Sequence, residues 1–135
     1  MADISISVDF DGSSITLTST SSAWIAAQQE IDVSGTTGSK TIAFDLNNTS
    51  GNGASFAGIR VSTSQRAVGS APIQTDGSIR GTPLSVSMEG STLTLTDDVS
   101  ATAQRGINYY FCIGVTPTGG SPIWDDPRIY NKGGN

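Results

Sequence analysis

Twelve carboxylates, no histidine and a single cysteine make up the reactive inventory of this 135-residue chain. Two acidic pairs stand out, Asp97-Asp98 and Asp125-Asp126. Paired carboxylates are the minimum equipment for glycoside hydrolysis, one protonating the leaving oxygen while the other attacks or activates water, at a separation of about 5–9.5 Å. Sequence neighbours on a strand point to opposite faces, so neither pair flanks one glycosidic bond unless two loops converge. Without histidine the chain assembles neither a Ser-His-Asp nor a Cys-His nucleophile, and no histidine-ligated zinc or iron site. Cys112, standing alone, excludes an internal disulfide and a cysteine-rich cluster. The expectation is a domain that is not an enzyme, with no catalytic residues, no cofactor and no structural or catalytic transition metal.

Binding chemistry has two candidate addresses. In the first, Trp124, Asp125, Asp126, Arg128 and Tyr130 stand close in sequence. An aromatic face that stacks on the C–H side of a sugar, beside carboxylates that accept hydroxyl hydrogens, is the equipment of a carbohydrate subsite. The competing reading packs Trp124 over the open end of the fold, with Asp126-Pro127 as a turn. In the second, Asp45, Asn47 and Asn48 open a polar loop that runs to Gly53, offering one carboxylate and several amide oxygens to calcium or a sugar. That loop departs from the helix-loop calcium pattern, because its glycines and the distant bidentate Glu are misplaced, and Asp and Asn occupy turns for backbone reasons alone. The glycosylation patterns at Asn47-Asn48-Thr49 and Asn48-Thr49-Ser50 read as chance matches. Cys112 sits in the most apolar stretch and reads as a small buried hydrophobe.

Charge narrows the partners further. Seven Lys and Arg against twelve Asp and Glu leave a net charge of -5, and the cations Lys40, Arg60, Arg66, Arg80, Arg105, Arg128 and Lys132 are scattered singly. No basic stripe awaits a phosphate backbone, so nucleic acid is not an expected partner. The start of the chain lacks a charged and then apolar leader, and no run reaches the roughly 18 apolar residues of a membrane span. The expectation is a cytoplasmic protein, or one exported by a non-standard route, with no membrane partner.

The elements that must position these residues are strands. Ser and Thr fill 36 of 135 positions, the residues of turns and of solvated strand faces. Ile4, Ile6, Val8 and Phe10 alternate with polar residues, Asp11-Gly12-Ser13-Ser14 turns the chain, and Ile15 to Ser19 alternates again, which predicts a β-hairpin over 3–19. Residues 21–33 suit one helical turn or a loop leading into a strand at Glu30 to Val33. Further strands are predicted at Thr41–Leu46, with Ile42, Phe44 and Leu46 inward, and at Phe56–Val61. Residues 62–82 read as a long, sheet-crossing connection, and 83–96 as a second hairpin. From Ile107 to Val115 one face is wholly apolar while Tyr110 and Cys112 line the other, which predicts a central strand covered on both sides. Seven to nine short strands imply an all-β, two-sheet antiparallel sandwich in a single domain over 1–135, ahead of a small barrel.

A family resemblance attaches to the last third. Tyr109-Tyr110-Phe111-Cys112-Ile113-Gly114-Val115, a Gly turn, and then Ile123-Trp124-Asp125-Asp126-Pro127-Arg128-Ile129-Tyr130-Asn131 resemble the ending of small bacterial β-sandwich proteins of the DP-EP and AidA/PixA-like group. There a Tyr-rich strand precedes an Asp-Pro-x-Ile-x-Asn segment. Thr41 to Leu46 followed by Phe56-Ala57-Gly58-Ile59 is similar to the middle of that group, while the Glu-Pro ending of its first family is missing. The resemblance implies an immunoglobulin-like sandwich, no catalytic residues and, for the AidA/PixA-like branch, association with intracellular inclusions or secreted virulence factors. The combined expectation is a binding or self-associating domain, a homo-oligomer formed through the first hairpin on the premise that Ile4 to Phe10 lies at a sheet edge. Lectin-like glycan binding, with or without calcium, is the runner-up, and a glycosidase-type hydrolase the remotest alternative.

Overall fold

The computed structural model describes residues 3–33, 39–97 and 108–131. In chain order these form strands β1 (Ile4–Phe10), β2 (Ile15–Thr18), β3 (Trp24–Ile25), β4 (Glu30–Asp32), β5 (Lys40–Asn48) and β6 (Ala54–Ser62). The short helix α1 (Gln65–Val68) follows, then β7 (Gly77–Ser78), β8 (Leu84–Glu89), β9 (Thr92–Asp97), β10 (Tyr109–Pro117), β11 (Ile123–Trp124) and β12 (Arg128–Asn131). Two sheets pack face to face as an all-β sandwich, with β2-β1-β5-β9-β8-β7 in one sheet, A, and β3-β4-β12-β10-β6 in the other, B. Strand β10 is paired by β6 along one edge, so β11 and β12 share its other edge end to end.

Local chemistry explains the hairpins. β1 pairs antiparallel with β2, Phe10 opposite Ile15, and the Asp11 carboxylate accepts the N–H groups of Ser13 and Ser14 at 2.9 and 2.8 Å. Those bonds organise the predicted turn. β8 and β9 form the second hairpin, Glu89 opposite Thr92. Residues 21–33 hold a third, smaller hairpin in place of a helical turn: Trp24 and Ile25 pair with Ile31 and Glu30, and Gln29 closes the turn with φ at +54°. The strand expected at Glu30 is present. The stretch 62–82 crosses from sheet B to sheet A, carrying α1 on the way.

Both sheets are mixed, which corrects the expected antiparallel arrangement. β1 runs parallel to β5 and β4 parallel to β12. The chain reverses at the β1–β2 and β3–β4 hairpins and reaches β5 beside β1 travelling in the same direction, which creates the parallel neighbour. The strand count rises to twelve because β3, β7 and β11 are two-residue pairings. A second correction concerns β1, which over Ser7–Phe10 lies between β2 and β5 and is not an edge there; the edges of sheet A are β2 and β7. A third is that β5 extends through Asn48, so Asn47 and Asn48 belong to a strand end and the loop starts after them.

The core follows the alternation. Ile4, Ile6, Val8, Phe10, Ile42, Phe44, Leu93, Leu95, Phe111, Ile113 and Val115 are all buried between the sheets. Phe44 of sheet A meets Phe111 of sheet B with ring centroids 5.8 Å apart, a tilted pair at the centre of the sandwich. β10 is covered on its outer face as well: Val68 of α1 and Cys112 are buried there, and Trp124 lies over Gly114. A side chain at Gly114 would place its Cβ 2.7 Å from the indole, so glycine is required for that approach. Ile107 lies outside the described residues, and the remaining predicted face of β10 is in place. Phe111→Ala should therefore lower the unfolding free energy by about 3–5 kcal/mol in chemical denaturation, the range for emptying a large aromatic core site; a loss below about 1 kcal/mol would mean that this strand is peripheral.

Candidate functional site

The first candidate cluster is taken apart by the fold. Between β11 and β12 the chain bulges at Asp125-Asp126-Pro127, and Asp125 stitches the bulge to β10. Its N–H donates to the Ile113 carbonyl at 3.1 Å, and its Oδ1 accepts the Ile113 N–H at 2.7 Å. Its Oδ2 pairs with Arg128 Nε at 2.7 Å, the side chains being 1% and 10% exposed. Arg128 also donates to Gln29 Oε1, which ties β12 to the β3–β4 turn and its left-handed Gln29. Burial pushes the Asp125 carboxyl up to about 6, against the opposing pull of Arg128 and the Ile113 N–H. Asp125 is thus a structural bond of the ladder and presents no free oxygen to a ligand.

The other members go separate ways. Trp124 is half-buried on the outer face of sheet B, one side of its ring on Gly114, with the Arg60 guanidinium 4.5 Å from the ring centroid. That cation–π contact occupies the indole. Asp126 is exposed beside it. Tyr130 points to the opposite side, into the sandwich, where it is 1% exposed and donates its hydroxyl to Asp97 at 2.7 Å. Burial and that bond raise the phenol pKa. The expected sugar subsite of Trp124, Asp125, Asp126 and Tyr130 is therefore not formed as one surface, because the strand pleat separates its ends and β10 takes its carboxylate.

Two features of this region have no simple sequence signal. Asp97 is fully buried at the end of β9, on the same face as Leu93 and Leu95, where an apolar residue would continue the pattern. Asp97 belongs to one of the two acidic pairs of the sequence, whose second member, Asp98, lies outside the described residues. Arg60 caps the outer face of sheet B, donating to the Gly69 carbonyl after α1. Cys112 packs beneath it as the expected inert thiol, pushed up to about 11 by burial and by the nearby Asp125.

The second candidate cluster is also divided. Asp45 and Asn47 face outward from sheet A, Asp45 accepting Thr92 Oγ1 at 2.8 Å and Asn47 donating to Asp9 Oδ1 at 2.9 Å. Asn48, at the strand end, instead accepts the Ser50 N–H and hydroxyl and donates to the Asn52 carbonyl, organising the loop. No three acidic or cysteine side chains among the described residues come together to hold a metal ion. None of the described helices is long and apolar enough to cross a membrane.

No protein-family model matches the chain, and no curated protein matches it. Sheet B's outer face is filled by α1, Trp124 and Arg60, whereas sheet A presents Ser5, Ser7, Asp9, Thr16, Thr18, Asp45, Asn47, Thr92, Thr94 and Thr96 outward with no covering element among the described residues.

The carboxylates also set a pH profile. Asp11 is held at about 2 by the N–H groups of Ser13 and Ser14, and hydrogen bonds from Ser7 and Thr41 hold Asp9 and Asp3 below 3.8. These groups bind fewer protons when folded, so stability rises with pH up to about 4. Asp125 has the opposite sign: between 3.8 and about 6 the folded state keeps a proton that the unfolded chain has lost, so stability falls as pH rises through that window. Denaturation measured against pH should give a maximum near 4, with a falling limb of at most about 1.4 kcal/mol per unit. Asp125→Asn should flatten the falling limb alone; a falling limb unchanged in that variant would assign it to another group.

Proposed function

We propose that this domain works without catalysis, by self-association through one flank of the sandwich. The observation that carries the reading is the placement of an uncharged run. From Gly12 to Gln29 no side chain is charged, and this run contains both β2, an edge of sheet A, and β3, an edge of sheet B. Five residues connect the two strands, and the Trp24 N–H of β3 already donates to the Ser21 carbonyl at 3.1 Å, which leaves β2 as the more open of the two edges.

Edge strands carry backbone N–H and C=O groups that another strand can pair, and proteins blunt them with Lys, Pro, bulges or a covering segment. The opposite flank is managed in that way. Residues 73–75 run beside β6, Ile59 exchanges two backbone bonds with Gln74 at 3.0 and 2.8 Å, and the positive φ of Gly58 bends the strand there. Between Gly12 and Gln29 there is no Lys and no Pro, and among the described residues no segment covers β2 or β3, whose own shortness is their protection. Two copies, each of net charge -5, repel least where neither carries charge, which makes a second copy the best-matched partner for this flank. The simplest product is a two-fold dimer with β2 antiparallel to its symmetry mate. The resemblance of the last third to β-sandwich proteins of the AidA/PixA-like branch, associated with inclusions, supports an assembling role.

Sedimentation over about a hundredfold range of concentration tests the reading, because mass action makes a dimer concentration-dependent. The expected result is a mass that rises towards twice the monomer's. Thr16→Lys, on the exposed outer side of β2 and opposite Asp9, should restore the monomer with the melting temperature within about 2 °C of the parent. A constant monomer mass at the highest concentration overturns the proposal.

A further inference from the structure

Beyond assembly, the outer face of sheet A contains a notch where the first hairpin opens. The β1–β2 ladder stops at Ser7 opposite Thr18, and the chain from Thr18 to Thr20 swings away, held by one bond from Ser19 Oγ to the Ser5 carbonyl at 2.5 Å. The gap is a shallow groove of about 350 Å³ lined by Ser5, Ile6, Ser7, Thr18, Ser19, Thr20 and Asp45. Because Ser7 and Asp45 are directly paired and both face outward, the notch opens on the sheet face and not on the β2 edge.

We propose that this notch seats a single ring of a neutral pyranose sugar. The polar groups around it are prepared for hydroxyls. Asp45 commits Oδ1 to Thr92 and leaves Oδ2 as an acceptor with no hydrogen bond to the protein. Ser7 and Thr18 already donate their hydrogens to the two oxygens of Asp9, at 2.7 and 3.3 Å, so their oxygens are turned to accept. Among the described residues the hydroxyls of Ser5 and Thr20 have no hydrogen-bond partner, and each can donate as well as accept. A sugar diol, which donates from one hydroxyl and accepts at its neighbour, matches this mixture; a purely apolar ligand would leave it unpaired. The methyl groups of Thr18 and Thr20 give the C–H face of the ring something to rest on.

Charge selects among sugars. Among the described residues Asp45 is the one charged member of the lining, with Asp9 beside it and no Lys or Arg. Uronic acids and phosphorylated or sulfated sugars would place like charge against it without a counter-ion. Trp124 lies on the other sheet and is occupied by Arg60, so no indole platform adds stacking energy, and the affinity of one ring should be near millimolar.

The test is a nitrogen-15 amide NMR titration of the full chain with glucose, mannose, galactose and N-acetylglucosamine in turn, with glucuronate, spermidine and calcium chloride as comparisons. Saturable shifts confined to residues 5–7, 18–20 and 45 with at least one neutral sugar are the expected result. Asp45→Ala should weaken that binding about tenfold, the scale of one lost charge-assisted hydrogen bond, with the rest of the spectrum unchanged as proof of fold. No saturable shift at these residues, or a response to glucuronate, spermidine or calcium that equals the sugar's, overturns the proposal. The outcome is separate from that of the dimer, because a monomeric protein would still show the sugar shifts and a dimer without them would refute the notch alone.

Discussion

Strand β10 imposes the strictest demand in the molecule. It is covered on both faces and paired on both edges, so its amide groups have no access to water and each must find a partner in the protein. β6 answers along one edge. On the other, the ladder has to pass from β12 to β11 across a bulge containing Pro127, a residue with no N–H to give. Asp125 resolves this by using its backbone N–H and its carboxylate together on both polar groups of Ile113. The resulting buried negative charge then requires Arg128, and Arg128 in turn fixes Gln29 in the β3–β4 turn. One unmet backbone requirement therefore propagates from the centre of sheet B to its edge.

This explains why the most suggestive sequence cluster has no free surface. Tryptophan, two aspartates, arginine and tyrosine within seven positions look like a binding site because those residue types recognise sugars. The same types also solve interior problems: an indole fills the space above Gly114, a carboxylate mends a ladder, and a phenol satisfies the buried Asp97. Packing absorbs sheet B's outer face, whereas sheet A's keeps rows of small hydroxyls that cannot close over one another. The readings proposed for flank and notch both fall on the β1–β2 side.

What could be read from residues alone was whatever depends on near neighbours. Alternation located β1, β5, β6 and β8 to β10, and the turns at Asp11-Gly12 and Glu89-Gly90 announced the two hairpins, because period and turn chemistry act over a few residues. The parallel pairings of β1 with β5 and β4 with β12 are contacts across long stretches of chain, with no local signature. Asp97 breaks the apolar pattern of its strand, and its partner Tyr130 is 33 positions away. Trp24-Ile25 is too short for a period to register. Asp45 was singled out for its oxygens, but its companions in the notch, Ser5, Ser7 and Thr18 to Thr20, are ordinary strand residues until the hairpin splays.

The distribution of charge gives the final step. A net charge of -5 on a chain this size disperses copies at long range, within the roughly 8–10 Å over which salt permits repulsion to act. Repulsion is not uniform, however. Asp3, Asp9 and Asp45 lie on the sheet A face and Asp126 on the sheet B side, so two copies approaching face to face meet like charge. The run from Gly12 to Gln29 is a gap in that coat, and it contains the edge strand β2 of sheet A and β3 of sheet B. In the proposed assembly electrostatics disfavours face-to-face encounters while backbone hydrogen bonding at the β2 edge favours one, so self-pairing of that kind needs no positively charged patch.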